Sequence, residues 1–176
     1  ASVVSMAGAT PVFCDVDLET NHMSIDSIKR MYSDKVKAII YPHLFGNISD
    51  MQFVQKYCEE KNIKLIEDAC QSFGANRDGQ HAGTYGDVST LSFNANKPVA
   101  GLAGGGAFLT DNKEEANLVR KLRRHGNNEV LGYNSKMLAI NAEFINFRMD
   151  KMHEWQDMRF RIAKRYTNNL KNLPVI

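Results

Sequence analysis

The chain lacks any apolar stretch long enough to cross a bilayer, which takes about 20 residues of helix. Its longest apolar run, 36–41, is broken by Lys37, so neither a transmembrane helix nor a membrane partner is expected. A secretory leader is not expected either, because Ala1-Ser2-Val3-Val4-Ser5-Met6 has no basic start and no long apolar core. Cysteine is scarce. Cys14, Cys58 and Cys70 are odd in number and form no CxxC pair, which argues against a disulfide framework and a zinc knuckle. Each is expected to be a small, reduced, mostly buried apolar side chain, and the cytoplasm is the compartment that suits it. Excess charge is lacking too. A net +2 over 176 residues is too small to imply a nucleic-acid partner. The densest basic cluster, Arg120-Lys121 with Arg123-Arg124, reads as a solvated helix end, where cations face the negative pole of the helix dipole. His22, His43, His81, His125 and His153 stand at no ligand spacing with cysteines or carboxylates, so no metal site is expected. An initiator methionine is also missing, and the opening reads as the end of a helix, which points to a fragment of a longer chain.

What is present is a 43% hydrophobic composition, enough for a real core, distributed in an alternating pattern. Residues 11–16 read as a short buried strand after a Gly/Pro turn. Ser24 is placed to cap a helix carrying Ile25, Ile28, Met31 and Tyr32 at helical spacing. A strand at 36–41, stopped by Pro42, is followed by a helix capped by Asp50 with Met51, Val54 and Cys58 on one face. A third strand at 63–66 ends at Glu67-Asp68, and 88–93 and 106–110 read as two more. Asp111 and Glu114 have the spacing of a capping box for a helix over 115–124. After a loop at 126–132, long helices follow, with one apolar stripe through Leu138, Ala142, Ile145, Met149 and Met152. A second runs through Trp155, Met158, Ile162, Tyr166 and Leu170. Strands and helices alternating over short connections predict an α/β fold with a mainly parallel sheet flanked by helices.

In such sheets ligands sit at the carboxyl ends of the strands. Polar residues gather at three of them: Tyr41-Pro42-His43, Glu67-Asp68 and the segment 92–97. Lys97 follows one strand closely and precedes Gly101-Leu102-Ala103-Gly104-Gly105-Gly106, a stretch that allows backbone to approach a bound group. A lysine held there, partly desolvated, can attack a carbonyl and form an imine. Asp68 would complement it, since pyridoxal phosphate (PLP) is an electron sink only while a carboxylate keeps its ring nitrogen protonated. Gln71 could donate to the phenolic oxygen of such a cofactor, and Ser92 could bond its phosphate. Plainer readings exist for each: a surface lysine, a capping aspartate, an ordinary strand-end hydroxyl. Thr90-Leu91-Ser92-Phe93 is not a nucleophile elbow, and 101–106 matches no phosphate-loop signature. Spacing alone leaves PLP chemistry open.

The motifs go further. Gly8-Ala9-Thr10-Pro11-Val12-Phe13-Cys14-Asp15-Val16-Asp17 is similar to a "GA-x-PVF-x-DVD" segment, and Pro42-His43-Leu44-Phe45-Gly46 to "HLYG". Ile66-Glu67-Asp68-Ala69-Cys70-Gln71-Ser72-Phe73-Gly74-Ala75 resembles "IEDAAQA-x-GA". Gly83-Thr84-Tyr85-Gly86-Asp87, with Ser92-Phe93 and Lys97, resembles "GS-x-GD…SF-x-x-x-K". Arg124-His125-Gly126 and Gly132-Tyr133-Asn134-Ser135 complete the series. In this order and over nearly the whole chain, they resemble the DegT/DnrJ/EryC1/StrS family of sugar aminotransferases, PLP enzymes of fold type I.

The resemblance implies roles residue by residue. Lys97 takes the Schiff-base position and shuttles the proton during transamination; Asp68 pairs with the pyridine nitrogen; Gln71 contacts the ring oxygen; Ser92 binds phosphate. Asn134 matches an asparagine that reaches the phosphate of a neighbouring subunit, implying a homodimer. His43 belongs to a motif near the cofactor and takes no assigned role. The implied reaction moves an amino group from glutamate to a keto-sugar, usually nucleotide-linked. On this reading 1–136 is a PLP-binding portion of a large domain, and 137–176 holds long helices leading toward a C-terminal small domain. Ala103-Gly104-Gly105-Gly106 lacks the acid common in the family, and Pro98 stands in place of a small polar residue. Lys97 argues against the dehydrases of the family, which carry histidine there. Two other readings stand beside transamination of a sugar: a related PLP reaction on a non-sugar ketone, and an inactive fragment serving as a structural or dimerising module.

Overall fold

Alternating burial along three short strands sets the architecture of the molecule, seen in a computed structural model that describes residues 1–174. Val175-Ile176, where the sequence placed the approach to a further domain, lie outside the described residues. The chain divides into two units, Ala1–Ser92 with Gly106–Ser135, and Phe93–Gly105 with Lys136–Ile176.

The first unit opens with α1 (Ser2–Met6). The strand expected at 11–16 does not form; Val16 makes a single isolated bridge with Met23. Val12 and Phe13 are 53% and 72% exposed. Apolar side chains make no strand where the backbone has no ladder partner, and here the pairing stops at the Val16–Met23 bridge and the bond from Ser24 N to Asp15 O at 2.9 Å. Ser24 caps α2 (Ile25–Met31) as expected, accepting from Ser27 N at 3.3 Å. β1 (Ala38–Pro42) comes next and retains Pro42, which an edge strand tolerates. A 3₁₀ turn at Leu44–Gly46 leads to α3 (Met51–Lys61), where Asp50 accepts from Phe53 N at 3.4 Å. That helix ends on Asn62 in the left-handed region, φ 52°. β2 (Lys64–Asp68), a two-stranded hairpin of β3 (Asn76–Arg77) and β4 (Gln80–His81), β5 (Val88–Ser92) and β6 (Gly106–Leu109) follow. The main sheet has the order β1-β2-β5-β6. Its first three strands are parallel, and β6 returns antiparallel to β5.

The three parallel strands bury alternate residues in phase. Ile39 and Tyr41 of β1, Leu65 and Glu67 of β2, and Ser89 and Leu91 of β5 face the covered side. There Ile28 of α2 and Met51, Val54 and Cys58 of α3 close the core. Ile66 and Asp68, with Thr90 and Ser92, lie on the opposite, half-buried side. Cys58 is buried, but Cys14 and Cys70 are only half-buried.

α4 (Lys113–Leu122) starts two residues before the expected 115. Its cap is Asn112, which accepts from Glu114 N at 2.9 Å and Glu115 N at 3.3 Å. Arg120 and Lys121 occupy the last turn, as the charge pattern suggested. In the second unit, α5 (Ala139–Met149) buries Asn141 and Ile145. α6 (Met152–Leu170) buries nothing fully, and its Met158, Ile162, Tyr166 and Leu170 are exposed.

The faces differ in what they contribute. Leu65, 2% exposed, truncated as Leu65→Ala, lowers the unfolding free energy by about 2–5 kcal/mol. Leu118→Ala, at a side chain 48% exposed, costs less than about 1 kcal/mol. Equilibrium denaturation measures both, and equal losses would contradict the division of faces.

Candidate active site

Three strand ends of the first unit meet at one level. Pro42 of β1 is in register with Asp68 of β2, which is in register with Thr90 of β5. Ser92 lies two residues beyond Thr90, and a period of two puts Asp68, Thr90 and Ser92 on the same half-buried face. Asp68 Oδ1 accepts from Cys70 N at 3.2 Å, turning the chain as it leaves β2. Gln71 follows, exposed, with Oε1 accepting from Phe45 N at 3.0 Å. Phe45 is held at φ 59°, ψ 16°. The carboxylate, a hydroxyl and an amide are thus carried by adjacent strand ends and the turn between them.

Behind this face stands a residue to which the sequence pattern assigns no role. Glu67 is fully buried, and its carboxylate collects four hydrogen bonds. Oε2 faces His43 Nε2 at 2.7 Å and accepts from Gly83 N at 2.9 Å. Oε1 accepts from Tyr85 N at 2.6 Å and Gly86 N at 2.7 Å. An ionised carboxylate only accepts, so His43 Nε2 carries the proton and donates it. Burial pushes the Glu67 carboxyl up, but the bonds from His43, Gly83, Gly86 and Tyr85 outweigh it. They hold it below its ordinary value of 4.5. Both side chains of the pair have 0% exposure, so His43 is a core residue on the covered side.

Lys97 belongs to the second unit, half-buried in a loop that runs from Asn94, whose carbonyl accepts from Lys97 N at 3.0 Å. Phe93 closes this loop with two backbone bonds, to Gly101 N at 2.8 Å and Gly105 O at 2.9 Å. Asn141 of α5 completes it. Its Oδ1 accepts from Ala103 N at 3.2 Å, and its Nδ2 donates to Gly104 O at 2.6 Å. A Cβ on Gly101 would lie 2.5 Å from Asn141 Oδ1, so the absence of a side chain is what lets the amide in. Asn134 is exposed in the first unit, bridged to Arg124. Among the described residues no group of three or more His, Cys, Asp or Glu could hold a metal, and no helix is long and apolar enough to cross a membrane.

A model of the DegT/DnrJ/EryC1/StrS aminotransferase family matches residues 1–176. The chain belongs to this family. It is 34% identical over 172 residues to a dTDP-3-amino-3,4,6-trideoxy-alpha-D-glucose transaminase of Micromonospora megalomicea subsp. nigra, covering 94% of this chain and 46% of that protein. It is likewise 34% identical over 178 residues to a UDP-N-acetyl-3-dehydro-alpha-D-glucosamine 3-aminotransferase of Acidithiobacillus ferrooxidans, covering 98% and 48%. The crystal structure of NtdA from Bacillus subtilis with bound cofactor PMP superposes with a TM-score of 0.89 at 32% identity. That match covers 98% of this chain and 40% of that one. The chain therefore spans about half the length of the curated relatives it matches.

Membership of the DegT/DnrJ/EryC1/StrS family accounts for the mainly parallel sheet. It does not by itself point to Glu67. The signal for that residue was in the strand pattern: Leu65 is buried, and a period of two turns Glu67 to the same side. A carboxylate placed there needs donors, and the glycine-rich turn at 83–86 supplies three.

The folded Glu67 carboxyl binds its proton more weakly than the unfolded chain does. Its contribution to stability is therefore full above 4.5 and fades as pH falls through the lower folded value. Glu67→Gln is expected to cost about 3–5 kcal/mol at neutral pH and to flatten the loss of stability below that value. Denaturant unfolding at stepped pH measures both, and an unchanged acid slope would refute the assignment.

Proposed function

We propose that this chain is the cofactor-binding half of a PLP-dependent aminotransferase that moves an amino group from glutamate to a keto-sugar, usually nucleotide-linked. The observation that carries the reading is the half-buried sheet face. It brings Asp68 and Ser92 to the ends of adjacent strands, with Gln71 in the turn that follows. The donor set fits the group chemically: a carboxylate for a basic ring nitrogen, an amide for a phenolic oxygen and a hydroxyl for a phosphate. Relatives named as transaminases of dTDP- and UDP-linked sugars support the substrate class.

When bound, PLP supplies the electron sink that makes a proton on carbon next to an amine acidic. Asp68 keeps the ring nitrogen charged. Gln71 has its Oε1 committed to Phe45 N, so its amide nitrogen is the atom left to donate. Lys97 Nζ would hold the cofactor covalently, and as a free amine it would be the base that takes the proton from the α-carbon. Glutamate leaves as its keto acid, and the keto-sugar receives the amine. Asn134, exposed at the surface, reaches the phosphate of a second subunit, so the working assembly is a homodimer. Cys14 and Cys58 are free thiols, which suits the reducing cytoplasm.

A second reading, a module that only scaffolds or dimerises, draws on the exposed Met158, Ile162, Tyr166 and Leu170 of α6. One experiment separates the two. PLP is added to the purified full-length protein and to its Lys97→Ala variant, and the visible absorbance is recorded before and after glutamate. A yellow band that requires Lys97 and is bleached by glutamate is expected. A full-length protein that forms no such band is not an aminotransferase, and the scaffold reading takes its place.

A further inference from the structure

We propose that Glu67 and His43 act together as a positioning device for Asp68, an inference that rests on the PLP reading above. The carbonyl of Asp68, the last residue of β2, is held from across the sheet by His43 N at 3.0 Å, one residue beyond the end of β1. His43 lies just outside the strand, at φ −92°, ψ 80°, where the chain swings into the 3₁₀ turn. A backbone donor at such a corner stays in place only if its side chain is anchored.

The anchor is Glu67. Its Oε2 holds His43 Nε2 at 2.7 Å, and among the described residues Nδ1 of the imidazole has no hydrogen-bond partner. The stacking of rings is loose, with Tyr41 at 5.8 Å and tilted by 50°. Glu67 itself cannot shift, because Gly83, Tyr85 and Gly86 clamp it from the other side. A closed circuit results: the Glu67 side chain fixes His43, and the His43 backbone fixes the carbonyl of Asp68, the adjacent residue. The peptide between Glu67 and Asp68 is thereby held at both ends, and with it the direction in which the Asp68 carboxylate leaves the opposite face. A misplacement of about 1 Å at a reacting group costs about a hundredfold in rate. Glu67 and His43 would therefore matter to the reaction without touching the cofactor.

The test uses the full-length protein loaded with PLP and reads three quantities: PLP affinity, the pH midpoint of the visible band, and the rate of bleaching by glutamate. His43→Phe keeps an aromatic ring but removes the bond to Glu67. It is expected to move the pH midpoint and slow bleaching by about ten- to a hundredfold. His43→Gln can still donate to Glu67 and is expected to stay within about threefold of wild type. Val54→Ala, a core truncation in α3 that destabilises without touching the circuit, is expected to leave midpoint and rate unchanged. Should His43→Phe not fold, His43→Asn, polar but too short to reach Glu67, carries the same expectation. Wild-type midpoint and rate in the Phe or Asn variant would overturn the proposal. So would the same slowing in Val54→Ala, which would make His43 an ordinary core residue. A wild-type protein that forms no band overturns the PLP reading and this inference with it, an outcome distinct from the other two.

Discussion

A carboxylate with no exposure to water has to be surrounded by donors, and the rest of the first unit depends on how Glu67 meets that demand. Three donors come from the turn at Gly83, Tyr85 and Gly86 and the fourth from His43. Leaving any one of them out would strand charge in a low-dielectric core. The path into β5 and the corner after β1 are therefore fixed by one side chain of the strand between them.

Close approach makes the arrangement possible. A Cβ on Gly86 would sit 2.8 Å from the carbonyl oxygens of both Leu65 and Val88, so no larger residue brings its N–H to Glu67. The second unit solves a similar problem by similar means. Asn141, 3% exposed, is a buried polar side chain that bonds a glycine-rich loop on both its oxygen and its nitrogen. Each unit thus uses a buried polar residue to hold a turn that contains glycines. In the first unit that turn leads to the strand carrying Ser92; in the second the loop carries Lys97. Buried hydrogen bonds stiffen the backbone they hold; Asp68 follows Glu67 directly, and Lys97 lies in the loop that Asn141 bonds.

Much of this was legible in the chain before folding. Helix caps at Ser24 and Asp50, the parallel strands and the strand ends bearing Asp68 and Ser92 follow from local rules of capping and alternation. The strand expected at 11–16 failed because a strand is a property of two segments, and periodicity reads only one. The cap of α4 failed for a different reason. Asp111 and Asn112 are both good caps, one residue apart, and the choice between them is made by the Thr110 hydroxyl. It accepts from Asn112 N at 3.1 Å and bonds Glu115 at 2.9 Å. His43 and Glu67 were visible as residues but not as a pair, since 24 positions separate them and only the register of β1 on β2 brings them together.

That register also explains why the adjacent acids of β2 have opposite fates. Successive side chains on a strand point to opposite faces, and a slip of one residue exchanges them all. In the observed register Glu67 faces the covered side, where donors from the 83–86 turn and His43 await it, and Asp68 faces the half-buried side beside Thr90. The slipped register would bury Asp68, whose shorter side chain reaches less far, and turn Glu67 and Leu65 outward together. The buried demand of Glu67 is thus a specification as well as a stabilising contact. It makes one register far better than its neighbour, and in doing so it decides which acid is left free to meet a ligand. A carboxylate that never touches the cofactor selects the one that can.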